Sequence, residues 1–188
     1  INRYFFEKMR PLTDAETKLL FEKLNKFIGK NIRYLIERED EAYCFRLHKD
    51  RVYYCAERLV RAATPIARKQ LHSIGTCFGK FTGGGKFLLH VTCLDYLAQF
   101  AKYKIWLKPN SEMSFLYGNH VTKAALARIT QDTPQYQGVV VYNINDVPIG
   151  FATTARTTDA CRKLEPTGIA AFHVADVGEY LREESSIA

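Results

Sequence analysis

The chain has 188 residues, of which 47% are hydrophobic and 25% are charged, and this composition excludes a wholly disordered protein. No run of about 18 apolar residues occurs, so we expect no transmembrane helix and no membrane partner, and the charges scattered through residues 1–10 argue against a secretory signal. Lysine and arginine outnumber aspartate and glutamate by 27 to 20, and this basic excess favours a polyanionic partner such as nucleic acid. Residues 1–96 hold 18 basic and 11 acidic side chains and the remainder nine of each, so the second half offers local charge clusters only.

The first predicted element is a helix that follows Thr13. Thr13 and Glu16 have the spacing of a capping box, in which each side chain accepts a hydrogen bond from the other residue's backbone N–H. Apolar residues then recur at helical spacing as far as Ile28, and Gly29, with Lys26 and Lys30 near it, is typical of a helix end. The sequence therefore predicts a helix over residues 14–28.

Short strands and two helices are predicted after this first helix. Alternation of apolar and polar residues indicates strands, and Pro65 ends a helical pattern because the residue before a proline avoids the helical region. We predict strands at 34–36, 43–47 and 52–54, a helix at 57–63, two strands joined by a glycine turn between 74 and 92, and a helix at 94–100. We expect a domain boundary at residues 96–101, which divides the chain into residues 1–98 and residues 99–188.

The second half is predicted to be rich in strands. We expect a strand at 102–108, a helix at 109–117 closed by Gly118, a second turn or helix at 121–126, and strands at 138–142, 147–155 and 169–173. Several short strands with one or two small helices indicate a compact, barrel-like β domain. The whole chain is thus predicted to be α+β, with an antiparallel sheet and surrounding helices followed by a barrel.

The five cysteines give no sign of a metal site. Their number is odd and no two are closely spaced, whereas a tetrahedral zinc site needs paired ligands. We expect reduced, mostly buried thiols, and neither a metal nor another cofactor. Cys161 precedes Arg162 and Lys163, whose charges could lower the pKa of its thiol. We favour the interpretation that this cysteine lies beside basic residues by chance.

Motifs for catalysis are weak. The glycine-rich stretch at 75–86 lacks the spacing of a phosphate-binding loop, since Lys80 is followed by Phe81, and a hairpin turn explains it better. No G-x-S-x-G sequence occurs. Asp95 in the sequence LDY bears a faint similarity to the catalytic aspartate of RNA-modifying enzymes, but a surface or helix-capping aspartate is favoured.

One predicted strand face suits RNA. Lys102, Lys104, Trp106 and Lys108 alternate with apolar residues, so one face combines phosphate-neutralising cations with a ring that can stack on a base. Such stacking contributes about 1–3 kcal/mol per base. Burial of Trp106 in a domain interface is the alternative, and the sequence leaves both open.

A second candidate is the segment RTTDACRK at residues 156–163. It places Arg156, Arg162 and Lys163 with two hydroxyl groups in a predicted loop after a strand. Loops that a rigid scaffold positions often carry binding residues. We therefore expect this segment to contact RNA rather than to be only a solvated loop.

Five longer motifs run through the chain: MRPLT at 9–13, YCFRLHKDRVYY at 43–54, GTCFGKF at 75–81, FLYGNHV at 115–121 and QYQGVVVY at 135–142. With these motifs the chain resembles the eukaryotic Nip-seven family of 60S ribosomal subunit biogenesis proteins, from Met9 to about Glu184. FLYGNHV and two further segments, VPIGFA at 147–152 and ADVGEYLR at 175–182, resemble the signature of a PUA domain, a small RNA-binding pseudo-barrel. Members of the family begin where Met9 stands, so we expect residues 1–8 to be an upstream extension, a tag remnant or a misannotated start.

The resemblance implies a function as well as a fold. It implies an N-terminal α/β domain without catalytic activity and a C-terminal PUA domain in a monomeric assembly factor of the nucleus and nucleolus. Such a factor acts in pre-60S particles, is needed for pre-rRNA processing, and contacts other nucleolar assembly factors and, in some members, the exosome.

The resemblance also implies where RNA is bound. Related proteins hold U-rich single-stranded RNA through basic positions of the C-terminal domain, and the matching positions are Arg156, Arg162 and Lys163, with Lys123 and Arg128 as further candidates. The strand pattern described above adds Lys104, Lys108 and Trp106, and Tyr117 is a second candidate for stacking.

Two other functions stay open at this stage. The chain is alternatively a protein-interaction adaptor of pre-ribosomes with little RNA affinity of its own, or, less favoured, an RNA-modifying enzyme that uses Asp95. A steep salt dependence of RNA affinity would distinguish the RNA-binding assembly factor from the adaptor.

Overall fold

The computed structural model describes residues 9–67 and 69–184, and residues 1–8, the predicted extension, lie outside them. The contacts divide the chain into two compact units. Unit 1 comprises Ile1–Leu24 and Lys30–Cys93, and unit 2 comprises Asn25–Gly29 and Leu94–Ala188. Within the described ranges, no helix combines the length and the apolarity that crossing a bilayer requires.

The first helix, α1, spans Asp14–Ile28 and confirms the prediction made from its capping box. The hydroxyl of Thr13 accepts from the backbone N–H of Glu16 at 3.3 Å, and the carboxylate of Glu16 accepts from the N–H of Thr13 at 2.8 Å. The same carboxylate accepts two hydrogen bonds from Arg10, at 2.7 and 2.8 Å. Gly29 ends the helix with a φ of +55°, a value that glycine adopts without steric cost.

Unit 1 is built on a five-stranded antiparallel sheet in the order β1-β2-β3-β4-β5. Its core includes a cluster of aromatic rings from Phe45, Tyr54 and Phe78, which pack with centroids 4.9–5.3 Å apart. The strands predicted at 43–47, 52–54 and within 74–92 and the helix predicted at 57–63 are confirmed. The elements are β1 (Arg10–Pro11), α2 (Arg33–Ile36), β2 (Tyr43–His48), β3 (Arg51–Ala56), α3 (Glu57–Ala63), β4 (Thr76–Phe81) and β5 (Phe87–Leu89).

The strand predicted at residues 34–36 is wrong, because this segment is the short helix α2. A 3₁₀ turn, Gly29–Ile32, continues directly into it. Leu35 is buried between the exposed Tyr34 and Ile36. A single buried residue between two exposed ones satisfies both the period of a strand and that of a helical turn, so three residues cannot distinguish the two.

Unit 2 contains a six-stranded sheet in the order β7-β11-β10-β9-β6-β8. Its elements are α4 (Leu94–Phe100), β6 (Lys104–Leu107), α5 (Pro109–Leu116), β7 (Val121–Thr122), β8 (Leu126–Ile129), β9 (Gly138–Tyr142), β10 (Pro148–Thr154), α6 (Thr158–Arg162), β11 (Ile169–Asp176) and α7 (Glu179–Arg182). The two outermost strands, β7 and β8, are joined by only three residues. The edges of the sheet therefore meet, and the sheet forms a nearly closed barrel. This confirms the predicted α+β class, with a sheet and helices followed by a barrel.

Two predictions in unit 2 are corrected. Residues 121–126, predicted as a turn or helix, form a turn only at 123–125. Strand β7 precedes this turn and pairs with β11, and β8 begins at Leu126 and pairs with β6. The segment 156–163, predicted as a loop, contains the helix α6, which Thr157 caps by accepting from the N–H of Ala160 at 3.3 Å. The helices predicted at 94–100 and 109–117 and the other strands are confirmed.

The core of unit 2 lies inside the barrel. Ile105 and Leu107 of β6 point inward and are buried with Phe115 of α5 and Cys161 of α6. Four of the five cysteines are buried and all five are unpaired thiols, in agreement with the sequence.

The hairpin of β4 and β5 gives a direct test of packing. A Cβ atom added at Gly79 would collide with the carbonyl oxygen of Leu88 and lie 2.9 Å from the ring of Phe87. We expect Gly79→Ala to lower the free energy of unfolding by about 1–3 kcal/mol, the usual cost of overpacking, in urea titrations followed by circular dichroism.

The matched control for this substitution lies in the turn of the same hairpin. A Cβ at Gly84 would meet only the hydroxyl of Thr82, at 4.0 Å. Gly84→Ala is expected to change stability by no more than about 0.5 kcal/mol. Equal effects of the two alanines would contradict the close approach of β5 to Gly79.

The N-terminal ion pair predicts a pH dependence. Hydrogen bonds from Arg10 are the main reason that the pKa of Glu16 falls to about 2. A carboxylate whose pKa is lowered in the folded state stabilises the fold fully at pH values above its ordinary pKa. This stabilisation is lost as the pH falls toward the pKa of the folded state. We expect this loss to be about 1–2 kcal/mol after allowance for solvent screening, and to be absent in Glu16→Gln.

The control is Glu22→Gln on the same helix. The carboxylate of Glu22 is exposed and lies 4.0 Å from Lys18. Urea titrations at pH 5 and pH 2.5 should give Glu22→Gln the pH dependence of the unsubstituted chain. If Glu16→Gln kept the full pH dependence of the unsubstituted chain, Glu16 would not be the titrating group.

Candidate nucleic-acid interface

The predicted RNA-binding residues all lie in unit 2, where the structure divides all of them except Lys108 into two groups. We call Arg156, Arg162, Lys163 and Lys123 the α6 cluster, because they surround that helix. We call Lys104, Trp106 and Arg128, together with Tyr142, the Trp106 ladder, because they form a row across adjacent strands.

The α6 cluster stands on a firmly held helix. Cys161 is fully buried in the barrel core. The hydroxyl of Thr158 donates to the carbonyl of Thr130 at 2.8 Å and accepts from the N–H of Thr133 at 3.0 Å. Because these contacts fix the inner side of α6, the exposed side chains of Arg162 and Lys163 are carried on its outer side.

Lys123 and Arg156 lie near the same helix. The N–H of Lys123 donates to the carbonyl of Gly168 at 2.8 Å, which attaches the seam of the barrel to the segment that follows α6. The charges of Lys123 and Arg156 act to lower the pKa of the Cys161 thiol, but burial is the larger effect and raises it. The alternative of an activated thiol at Cys161 is therefore wrong.

The cations of the α6 cluster are available to a ligand. The guanidinium of Arg162 lies 3.4 Å from the carboxylate of Asp159, and both side chains are mostly exposed. Such exposed pairs contribute at most about 1 kcal/mol. Among residues 9–67 and 69–184, no ion pair engages Arg156 or Lys163. Phosphates can therefore replace the existing contacts of this cluster at little cost.

Lys108 does not join the Trp106 ladder. Strand β6 ends at Leu107, and the ammonium of Lys108 donates to the carbonyl of Ala124 at 2.8 Å. Ala124 follows Lys123 in the turn at the barrel seam. The predicted basic face is thus divided, with Lys104 and Trp106 on the ladder and Lys108 beside the turn.

The Trp106 ladder follows from the register of three strands. Strand β6 lies between β9 and β8, and Trp106 is paired with Tyr142 on one side and with Arg128 on the other. The rings of Trp106 and Tyr142 are stacked, with centroids 5.7 Å apart and planes at 26°. The guanidinium of Arg128 lies 3.6 Å from the centroid of the Trp106 ring. The row is completed by the ammonium of Lys104, 5.2 Å from the Tyr142 ring.

Asp146 belongs to this arrangement although the sequence did not indicate it. Its carboxylate accepts from the indole N–H of Trp106 at 2.6 Å and lies 4.0 Å from the guanidinium of Arg128. Burial, and then the charge of Asp146, raise the pKa of Tyr142. Tyr142 was also missed, because it ends a continuous apolar strand that predicts a buried core residue.

The contacts that hold Arg128 over the indole are weak. A cation over an aromatic ring at an exposed site contributes about 0.5–1 kcal/mol, and an exposed ion pair about as much. A stacked base contributes about 1–3 kcal/mol. A base can therefore compete with Arg128 for this ring.

A third polar cluster lies at the C-terminal end of β11. Ligand atoms of His173, Asp176 and Glu179 lie within 4.8 Å of one another, a spacing that suits a metal. The buried Asp176, however, already accepts from His173 at 2.6 Å, from the N–H of Gly178 at 2.7 Å and from Arg182 at 2.9 Å. The guanidinium of Arg182 supplies the positive charge that a metal would bring.

The Asp176 cluster is therefore a structural ion pair. Burial acts to raise the pKa of Asp176, but the hydrogen bonds from His173, Arg182 and Gly178 outweigh it, so this pKa lies below its ordinary value. Arg182 also donates to the carbonyl of Leu116, which attaches α7 to the end of α5.

The fold has relatives among solved structures. A PUA-domain protein from Aeropyrum pernix has a TM-score of 0.60 at 15% identity, with 96% of this chain and 92% of that chain covered. A conserved PUA-domain protein from Thermoplasma acidophilum has a TM-score of 0.55 at 13% identity, with 94% and 99% covered. These similarities define the chain as a protein with a PUA fold.

Sequence relatives identify the family. Residues 9–91 match the NIP7/UPF0113 pre-PUA domain, and residues 103–185 match the UPF0113 PUA domain. The 60S ribosome subunit biogenesis proteins of Xenopus tropicalis (NIP7 homolog) and Schizosaccharomyces pombe (nip7) are each 63% identical to this chain over 179 residues, or 95% of this chain and 99% of theirs. The chain belongs to the NIP7 family of 60S ribosome subunit biogenesis proteins, and the resemblance seen in its motifs is confirmed.

The Asp176 ion pair predicts a stability effect. Arg182→Gln leaves a buried carboxylate with fewer donors, so we expect unit 2 to lose about 1–3 kcal/mol of stability near neutral pH. Without Arg182 the pKa of Asp176 rises, so acid unfolding begins at a higher pH.

Arg162→Gln is the matched control, because it makes the same chemical change in an exposed pair. Its effect on stability is expected to stay within about 0.5 kcal/mol. Urea and acid titrations of both variants measure the difference, and a neutral result for Arg182→Gln would argue against the buried pair.

Proposed function

We propose that this protein is a non-catalytic RNA-binding assembly factor of pre-60S particles and that its α6 cluster holds the phosphates of single-stranded pre-rRNA. The observation that carries the proposal is that exposed cations, Arg156, Arg162 and Lys163, lie on and at the two ends of a helix whose other side is fixed in the barrel. Unit 2 has no large basic excess, so its affinity for RNA depends on such local placement.

The family supports the finer parts of this proposal. Its members are named for 60S subunit biogenesis, a process that requires the processing of pre-rRNA. We infer a nuclear and nucleolar location, a preference for U-rich segments, and a monomeric protein that contacts other assembly factors and the exosome. Residues 1–98 act in this proposal as the docking domain, and residues 99–188 act as the RNA-binding PUA domain. No cofactor is needed.

The adaptor alternative has one observation in its favour. Unit 1 carries an apolar groove of about 290 Å³ lined by residues that include Leu20, Phe21, Leu35 and Phe45. A groove of this kind suits a protein segment better than RNA. An adaptor would use it while the cations of unit 2 met acidic partners.

The enzyme alternative has less support. Asp95 is exposed in the first turn of α4. Burial raises the pKa of each of the five cysteine thiols, so none is an activated nucleophile.

The test is the salt dependence of RNA affinity. A fluorescently labelled U-rich single-stranded RNA is titrated with the unsubstituted chain and with the triple variant Arg156→Glu, Arg162→Glu, Lys163→Glu. Single-strand binding has a log–log salt slope of about −0.7 per phosphate neutralised, so the loss of three contacts should flatten the slope by about 2.

A second triple variant separates local contacts from total charge. Lys18→Glu, Arg58→Glu and Arg61→Glu change the net charge equally, at exposed positions of unit 1. This variant should keep most of the salt dependence of RNA affinity that the unsubstituted chain shows. Equal losses in both triples would assign the effect to overall charge, and no binding by the unsubstituted chain at low salt would favour the adaptor.

A further inference from the structure

A row of side chains runs across the outer side of the barrel wall, with Tyr142 buried, Lys104 and Trp106 half-buried, and Arg128 exposed. Lys104, Tyr142, Trp106 and Arg128 follow one another across β9, β6 and β8 as a cation, two aromatic rings and a second cation. Aromatic rings flanked by cations are what proteins use to hold unpaired bases and their phosphates. The row thus has the composition of a single-strand binding surface.

The groups on the two sides of the indole are held to different degrees. Tyr142 is buried, and its hydroxyl donates to the carbonyl of Ala98 at 3.0 Å, so this ring is fixed. Arg128 has 64% of its side chain exposed and stands on β8, an outermost strand in the sheet order. Its guanidinium can turn away from Trp106 without breaking a backbone hydrogen bond.

Asp146 holds this guanidinium in place only loosely. The carboxylate is 75% exposed and 4.0 Å from Arg128, a separation at which solvent and salt screen the attraction. Its hydrogen bond to the indole N–H, at 2.6 Å, is stronger and fixes the plane of the ring. The same negative charge repels an approaching phosphate.

We propose that the Trp106 ladder is a base-stacking subsite for single-stranded RNA, in which Arg128 is a movable cover. A base takes the place of Arg128 on the free face of Trp106, and the released guanidinium pairs with a phosphate of the same strand. Asp146 keeps the cover closed when no RNA is bound. This subsite rests on the proposed function, since it adds a second contact for the RNA that the α6 cluster holds.

The experiment uses the chain's own reporter. Trp106 is the single tryptophan of the chain, so its fluorescence reports directly on the ladder. The full chain is titrated with a U-rich oligonucleotide, and tryptophan emission is recorded alongside the anisotropy of the labelled RNA. We expect the emission to be quenched with the same midpoint as the anisotropy change.

Substitutions test the two roles separately. Trp106→Ala should weaken binding by about 5- to 150-fold, the range for loss of one stacked base, whereas Tyr136→Ala, at an exposed ring outside the ladder, should not. Asp146→Asn keeps an acceptor for the indole and tolerates the φ of +59° at this position. It removes the repelling charge, so it should tighten binding by about fivefold, the effect of two unit charges about 4 Å apart in water.

The cover is tested without RNA. Arg128→Ala should make Trp106 more accessible to acrylamide, a neutral quencher, because one face of the ring becomes open. Unchanged quenching would overturn the role of Arg128 as a cover. This measurement needs no loss of affinity and remains informative if Trp106→Ala fails to fold.

The outcomes separate the two proposals. If the anisotropy reports binding while tryptophan emission is constant and Asp146→Asn has no effect, the subsite is overturned and the α6 cluster stands. An equal loss in Tyr136→Ala and Trp106→Ala would also overturn it. If neither signal responds to RNA in the unsubstituted chain at low salt, the proposed function itself fails.

Discussion

The register of strand β6 is the constraint on which unit 2 depends. This strand pairs in parallel with β9 and antiparallel with β8. The two pairings send Ile105 and Leu107 into the core and leave Lys104 and Trp106 outside. A slip of one residue would exchange the two faces, because side chains alternate along a strand. The hydrophobic core and the candidate interface are therefore determined by the same backbone hydrogen bonds.

The local signals in the sequence account for most of the fold. The capping chemistry of Thr13 and Glu16 predicts α1, and alternation predicts the longer strands, because both depend on neighbouring residues only. The failures occur where local patterns are too short or where partners are distant. Strands β7 and β8 are two and four residues long and exist because the barrel closes there. No period can be recognised over so few residues.

The candidate site shows the same division. Alternation correctly puts Lys104 and Trp106 on one face of β6, because that depends on a single strand. It cannot reveal that Arg128 and Tyr142 flank the indole, since they come from strands 22 and 36 residues further along the chain. The part played by Asp146 depends on the turn between β9 and β10. The thiol of Cys161 shows the same limit, because its sequence neighbours suggest a basic environment while burial in the core raises its pKa. The favoured interpretation of a cysteine flanked by basic residues by chance agrees with this.

The last turn of α1 has a consequence for how the two units can be studied. Phe27 belongs to unit 2, where its ring meets that of Phe151 edge to face at 5.4 Å and fills the space beside Gly138. Its carbonyl accepts from the N–H of Lys102 at 3.2 Å. The barrel is therefore discontinuous in sequence, and a truncated fragment that starts at residue 94 would leave the ring of Phe151 without this partner. Deletion mapping would confuse loss of folding with loss of binding, so point substitutions in the intact chain are the sound way to assign roles.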